Sequence, residues 1–399
     1  MSNETMYRQQ RTDYPVPAEA AQWQKRALIV GVVGVLLCVA GAVTSLDQFL
    51  RGYLIAYMFW TGLSLGCLAL LMVQYLSGGL WGLVIRRALE SASKCLPLMF
   101  VLFLPILAFR THLYAWMTNP ALTERNGWYL NTPGWIVRWL VYFAIWIGLE
   151  LILNKRGGTQ DRPLAGPRPH FQGLSGLGLV LYAMTVSFAA VDWVMSLDPT
   201  WGSTIYGLIF IAGQGLSALA FNVIMLTVFT RYRPYSEIIK PMQFHDIGKL
   251  MLAFVMLFAY FSFSQWLIIW AGNLPEEIGW YLHRIRGGWG VVALIIILFH
   301  FALPFALLLS RERKRAGKRL IGLALLLMFM RLVDIYWYVV PNFAHEQGHF
   351  YLSIWYILAP IGVGGLWLAF FFYNLQQRPL LPAYETQVPL LLNQRGHGH

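Results

Sequence analysis

Residues 288–310 read GWGVVALIIILFHFALPFALLLS, twenty-three positions with a single ionisable side chain, His300. As an α-helix this stretch is about 35 Å long, enough to cross the ~30 Å hydrocarbon core of a bilayer. It is apolar on every face, so a water-soluble fold has no polar side of it to turn toward solvent. Nine further runs share this character, near 27–43, 52–76, 95–110, 134–153, 175–197, 204–230, 249–271, 317–340 and 351–374. The run at 95–110 is the shortest and stops at Arg110. Over all 399 residues 58% are hydrophobic and 12% charged, against roughly 25% charged in a soluble domain. The expected fold is an all-α polytopic membrane protein with ten transmembrane helices.

The formal charge of +12 does not imply nucleic acid in such a chain, because Lys and Arg concentrate in loops that stay cytoplasmic. Ten crossings put both termini on one side. With cytoplasmic termini, 23 of the 30 Lys and Arg residues fall inside, among them Arg8, Arg11, Arg86, Arg87, Arg162, Arg168, Arg395 and the cluster between Arg311 and Arg319. Six fall outside (Arg51, Arg110, Arg125, Arg138, Arg284 and Arg286), and Arg331 lies within a span. Nine or eleven spans would scatter these charges. Ala40-Gly41-Ala42 loosely resembles a signal-cleavage site, but 26 residues precede the first run, and an uncleaved span is expected. The polar tail after Asn374 reads as a surface strap or partner contact. Cys38, Cys67 and Cys95 form no CxxC or CxxCH, which argues against a disulfide framework, covalent haem c and a thiolate-bound cluster.

The order of small motifs suggests an internal repeat. Ser45-Leu46-Asp47, Tyr53 and Gly62-Leu63-Ser64 are echoed by Ser196-Leu197-Asp198, Tyr206 and Gly215-Leu216-Ser217. Lys94, Phe100-Val101 and Trp116 return as Lys249, Phe254-Val255 and Trp270; Trp135 returns as Trp289, and Val191-Asp192 as Val333-Asp334. Spans 2–5 and 6–9 are therefore expected to form two parallel four-helix bundles. The resulting divisions are an N-terminal segment 1–26, a peripheral span 27–43, bundles at 44–197 and 198–341, a second peripheral span 342–374, and a tail 375–399.

Ionisable groups inside hydrocarbon are costly and mark candidate sites. Asp192 lies near the outer end of span 5, and Asp334 occupies the equivalent place in span 9. Arg331 precedes Asp334 by three residues, so the two share a helix face; the pair fits either a structural ion pair or a proton relay. Glu150 near the inner end of span 4 either reaches the interface or serves in proton transfer. His300, at mid-depth without a second deep histidine for haem b, fits packing or proton transfer. At the inner mouth of span 7, His245, Asp246 and Lys249 form either a proton entrance or a solvated helix start. At the outer end of span 3 come Arg110, His112, Tyr114 and Trp116. Quinol oxidation needs a proton acceptor beside a ring hydroxyl, and His112 with Asp192 is the candidate; an interfacial aromatic belt is the plainer reading. No Walker sequence and no metal-ligand spacing occur, so neither ATP-driven transport nor a bound metal is expected.

His245-Asp246-Ile247-Gly248-Lys249, Phe261-Ser262-Phe263-Ser264-Gln265-Trp266, Asn273-Leu274-Pro275-Glu276-Glu277 and Gly287-Gly288-Trp289 together resemble one membrane subunit of alternative complex III. Phe299-His300-Phe301-Ala302-Leu303-Pro304 and Arg331-Leu332-Val333-Asp334 belong to the same pattern. The subunit is the ActF type, a branch of the NrfD-like (polysulfide reductase membrane subunit) family, and the resemblance covers almost the whole chain. It implies ten spans in two four-helix bundles, no redox cofactor in this subunit, and a bacterial inner-membrane location. It also implies oxidation of menaquinol or ubiquinol, with haem c and iron–sulfur clusters in partner subunits. Those partners include an ActC-type NrfD-like subunit, an iron–sulfur subunit, haem c subunits, and a periplasmic electron carrier or terminal oxidase. Two readings compete: a secondary transporter, in which Pro105 and Pro304 would break helices near the substrate, and a structural anchor for a peripheral redox arm.

Overall fold

A computed structural model describes residues 15–124, 126–159, 171–233, 235–346, 350–382 and 391. Arg8, Arg11, Arg125, Arg162, Arg168 and Arg395 of the charge count lie outside these residues, as does most of the tail after 382. Among the described residues there is no strand, and ten helices are long and apolar enough to cross a membrane. They are α1 (Ala20–Thr44), α2 (Leu46–Ser77), α3 (Leu80–Ala108), α4 (Thr132–Gly158) and α5 (Gln172–Leu197), followed by α6 (Tyr206–Phe229), α7 (Pro241–Gly272), α8 (Trp289–Leu309), α9 (Gly317–Phe343) and α10 (Trp355–Leu375). The chain is a multi-pass membrane protein. Gln376 Nε2 donates to Gln24 Oε1 at 2.8 Å, so the start of α1 and the end of α10 meet at one face. That face is termed the terminal face, and its opposite the far face.

The helix ends follow from local chemistry. Between α2 and α3, Gly78 and Gly79 take φ of 66° and 95°, a left-handed turn that only glycine adopts without strain. Asn273 closes α7 in the left-handed conformation, and Pro275 opens a short helix, Pro275–Ile285, where its missing N–H is not needed. The third span begins fifteen residues before the expected start at 95. Its added turns carry Arg86, Arg87 and Glu90, which pair with one another and are buried. The helix steps at Lys94–Cys95 and at Phe103, each just before a proline, Pro97 and Pro105.

The two central helices are α2 and α6, with 89% and 83% of their core residues buried, whereas α7 and α8 are the most lipid-exposed of the later spans, at 22% each. The central pair crosses at Gly66, where a Cβ would lie 2.2 Å from the Gln214 carbonyl oxygen. Around α2, helix α3 packs on α4, α4 on α5, and α5 returns to α2; around α6, helix α7 packs on α8, α8 on α9, and α9 returns to α6. Helix α10 lies against α1, α2 and α3. Its seam with α1 closes on glycines at the centre: Gly31 and Gly34 meet Gly365 and Gly362, with a Cβ on Gly34 only 2.1 Å from Gly362 Cα.

Candidate functional site

Arg138, Tyr142, Trp146, Glu150 and Asn154 recur at every fourth position of α4 and so form one stripe along it. From first to last the stripe spans about 24 Å, most of the hydrocarbon thickness. Four of the five are buried inside the protein, and Arg138 keeps 21% of its side chain exposed at the far face.

Asp192 of α5 sits at the far end of this stripe and is fully buried. Sequence neighbours offered it no cation; the fold supplies Arg138 from α4, whose Nε and Nη2 each donate to one carboxylate oxygen at 2.8 Å. Tyr142 Oη donates to Oδ2 at 2.7 Å. Trp135 Nε1 and Ser196 Oγ donate to the Asp192 backbone carbonyl and hold the turn in place. The Arg138 guanidinium stacks 4.0 Å from the Tyr129 ring centre and donates to the Tyr129 carbonyl. Burial, reinforced by Asp192, raises the Tyr129 hydroxyl pKa, so this phenol stays protonated.

Deeper along the stripe Trp146 Nε1 donates to Thr185 Oγ1 at 2.8 Å, and Tyr182 Oη donates to Gln214 Oε1 at 2.8 Å. Thr61, Trp146, Trp193 and Gln214 border a cavity of about 10 Å³, the lower limit for one water. At the terminal end Glu150 is 3% exposed and does not reach out to the interface. Asn154 Nδ2 donates to Glu150 Oε1 at 2.9 Å and to Ser93 Oγ at 3.3 Å. Next to it Glu90 is held by Arg86 at 3.1 Å, Arg87 at 2.5 Å and Arg378 at 3.7 Å. Arg378 also donates to the Asn154 carbonyl and so ties this cluster to the stripe. Hydroxyls, carboxyls and an amide thus recur along the stripe, in separate hydrogen-bonded groups around Tyr142, Thr185 and Asn154.

A cleft of about 660 Å³ opens on the far face, lined by Tyr129, Phe188, Ser196, Asp198, Trp201 and Glu276 among others. Tyr129 and Ser196 belong both to its wall and to the surroundings of Asp192, so the stripe ends directly behind it. The residues expected to bind quinol do not line it. His112 pairs with Asp47 at 2.9 Å, both exposed, and not with Asp192. The two are brought together because α2 and the end of α3 pack side by side, a contact that linear spacing does not reveal. Arg110 donates to its own helix at Leu107. Tyr114 and Trp116 are buried; Tyr114 Oη donates to the Trp193 carbonyl, and burial raises its pKa.

The α6–α9 half is built differently. Arg331 and Asp334 form the expected ion pair, fully buried, with Arg331 over the Phe210 ring. Gly213 makes room for the guanidinium, since a Cβ there would lie 2.4 Å from it. His300 is buried against Phe258, and neither ring nitrogen has a hydrogen-bond partner among the described residues. It lies in a π-helical stretch, Ile297–Ala302, because Pro304 cannot donate to the His300 carbonyl four residues back. Counting from the Trp135–Trp289 correspondence, the α4 stripe maps onto Val292, Ile296, His300, Pro304 and Leu308 of α8. All five are buried, yet His300 alone is polar. Near the far face Arg284 is buried, stacked 3.5 Å from the Trp280 ring centre, and donates to the Tyr338 carbonyl and Asn342 Oδ1. Burial lowers its pKa to about 10.

His245, Asp246 and Lys249 occupy the first turns of α7 at the terminal face, with Lys249 3.4 Å from Asp246 and His245 buried. Sequence reasoning missed Arg138, Tyr142, Asn154, Glu90 and Arg284. The signal for the first three was the fourfold spacing in span 4; for Glu90 it was the flanking Arg86-Arg87 pair one helical turn away. No protein-family model matches the chain, and no curated protein matches it.

Proposed function

We propose that the chain is a membrane subunit of a quinol:electron-acceptor oxidoreductase of the alternative complex III type, and that its α2–α5 half conducts protons. The carrying observation is the α4 stripe, whose polar residues run from beside Asp192, behind the far-face cleft, to Glu150 next to Glu90 at the terminal face. A buried carboxylate gripped by arginine and tyrosine at one end, and a buried carboxyl bonded to an amide at the other, offer proton-holding groups at both boundaries. In this reading the terminal face is cytoplasmic, in accord with its excess of Lys and Arg, and the membrane is the bacterial inner membrane. Menaquinol or ubiquinol gives up its protons on the far side, while haem c and iron–sulfur centres in partner subunits accept the electrons. The ActC-type subunit and the iron–sulfur and haem c subunits are the expected neighbours. The repeat, read as two parallel bundles, fits the way α2–α5 and α6–α9 each close on themselves.

The test is quinol turnover and proton release in the intact complex carrying Asp192→Asn or Glu150→Gln. Proton release per quinol is expected to drop severalfold with either variant; wild-type turnover and wild-type release in both would remove the stripe from the mechanism. Purification separates this reading from a secondary transporter, because a redox subunit co-migrates with haem and iron–sulfur partners. A transporter also needs a substrate-sized cavity near mid-depth, where the stripe borders a space of about 10 Å³.

A further inference from the structure

The terminal-face end of α7 holds a cation that the protein buries without neutralising. Lys314, in the short helix Arg311–Arg315 between α8 and α9, is 7% exposed. Its stem crosses α7 at Gly248, where a Cβ would lie 2.8–3.2 Å from Lys314 Cγ, Cβ and Cδ. Any larger residue at 248 would push the lysine out, so glycine is what admits it. Among the described residues the Lys314 ammonium has no hydrogen-bond or ion-pair partner. Burial, with a smaller contribution from Lys249, lowers its pKa.

The surroundings are built to the same sign. His245 is 8% exposed, and its Nδ1 has no hydrogen bond; the nearest carboxylate oxygen, on Asp246, is 3.9 Å away. Lys249, Lys314 and Arg315 all act on His245 electrostatically, against Asp246 alone. Asp246 is itself engaged by Lys249 at 3.4 Å. A lysine with a buried stem and an imidazole Nδ1 buried without an acceptor, set among further positive charges, cost free energy unless an anion joins them.

We infer that His245, Lys249 and Lys314 form a binding site for the phosphate of an anionic phospholipid headgroup. Phosphate supplies the several acceptor oxygens that an ammonium and an imidazole N–H can share. The lipid source follows from position. The site lies at the membrane boundary of α7, α8 and α9, beside the most lipid-exposed helices of this half, with apolar Met242 and Leu309 exposed next to it as acyl-chain surface. This assignment does not depend on the redox reading, because it uses neither the α4 stripe nor the cleft.

The test is native mass spectrometry of the full-length chain, extracted from membranes, delipidated and titrated with phosphatidylglycerol. Wild type is expected to bind one molecule at least tenfold more tightly than Lys314→Met, which keeps the stem over Gly248 and removes the charge. Lys314→Arg is expected to recover most of the affinity, and zwitterionic phosphatidylcholine to bind wild type and Lys314→Met alike. Where Lys314→Met fails to fold, the half-exposed Lys249→Gln serves instead and should weaken binding severalfold. Displacement of the lipid by millimolar inorganic phosphate would reassign the site to a free anion and overturn the lipid assignment. Equal phosphatidylglycerol affinity in wild type and the charge-removing variants would overturn the site itself.

Discussion

Removing Arg138 should cost far more than removing its partner Asp192, and the two exposures say why. The Asp192 side chain is 1% exposed and the Arg138 side chain 21%. In Arg138→Met the carboxylate keeps only the Tyr142 hydroxyl among its present partners and sits in a buried site without a counter-charge. Breaking a buried pair in that way costs about 3–5 kcal/mol. In Asp192→Asn the amide oxygen still accepts from Tyr142, and Arg138 retains the Tyr129 carbonyl, the Tyr129 ring and access to water. The loss is then about 1.5–3 kcal/mol, the worth of one hydrogen bond to a charged group. The double variant should cost about as much as Asp192→Asn alone plus a small packing loss, so the cycle shows a coupling of roughly 2 kcal/mol or more. Unfolding in mixed micelles by added denaturing detergent, followed by circular dichroism, gives all four free energies. An Arg138→Met cost below about 1 kcal/mol, or a double variant equal to the sum of the singles, would refute the ion-pair account.

Three further outcomes are expected. Gly213→Ala drives a methyl group to 2.4 Å from the Arg331 guanidinium and should destabilise by about 1–3 kcal/mol as an overpacked core does, read as a lower detergent-unfolding midpoint. Gly34→Leu should part α1 from α10; cysteines placed at Gln24 and Gln376, whose side chains now touch at 2.8 Å, should cross-link readily in the parent and poorly in the variant. Asp334→Asn should leave proton release per quinol at the parent value while lowering stability, because Arg331 then lies buried without its counter-charge.

Hydropathy made the ten spans legible, because lipid contact imposes a length and a composition that a single sequence displays directly. Where ionisable residues pair inside a span, the same rule misled. Arg86, Arg87 and Glu90 read as loop, yet Glu90 bridges both arginines, and the Tyr75 hydroxyl and Pro379 carbonyl accept their other donors, so the helix buries all three and starts at Leu80. The Arg331–Asp334 pair was readable because both partners lie on one helix turn. The partners of Asp192 and His112 were not, since Arg138 and Asp47 come from other helices and only packing brings them near. Glu150 shows a third case: its depth was visible in sequence, but whether it turned inward depended on Asn154 and Ser93 being there to receive it.

The two aspartates at matching repeat positions have taken opposite routes to neutrality, and the contrast bears on which half carries protons. Asp334 takes its arginine from its own helix, and Gly213 of α6 seals that cation in, so the pair has little freedom to exchange with solvent. Asp192 takes its arginine from the next helix, which leaves one carboxylate oxygen shared with Tyr142 and places the cation partly in water beside the cleft. The faces that continue from these sites differ in the same sense. Below Asp192 the α4 face offers Tyr142, Glu150 and Asn154; the matching α8 face offers Ile296, Pro304 and Leu308, and its lone His300 finds no hydrogen-bond partner among the described residues. A proton moves only where donors and acceptors succeed one another within hydrogen-bond reach. If one ancestral unit was doubled, the α2–α5 copy kept polar groups for such a succession, in separate hydrogen-bonded groups around Tyr142, Thr185 and Glu150, and the α6–α9 copy replaced them with hydrocarbon and a locked ion pair.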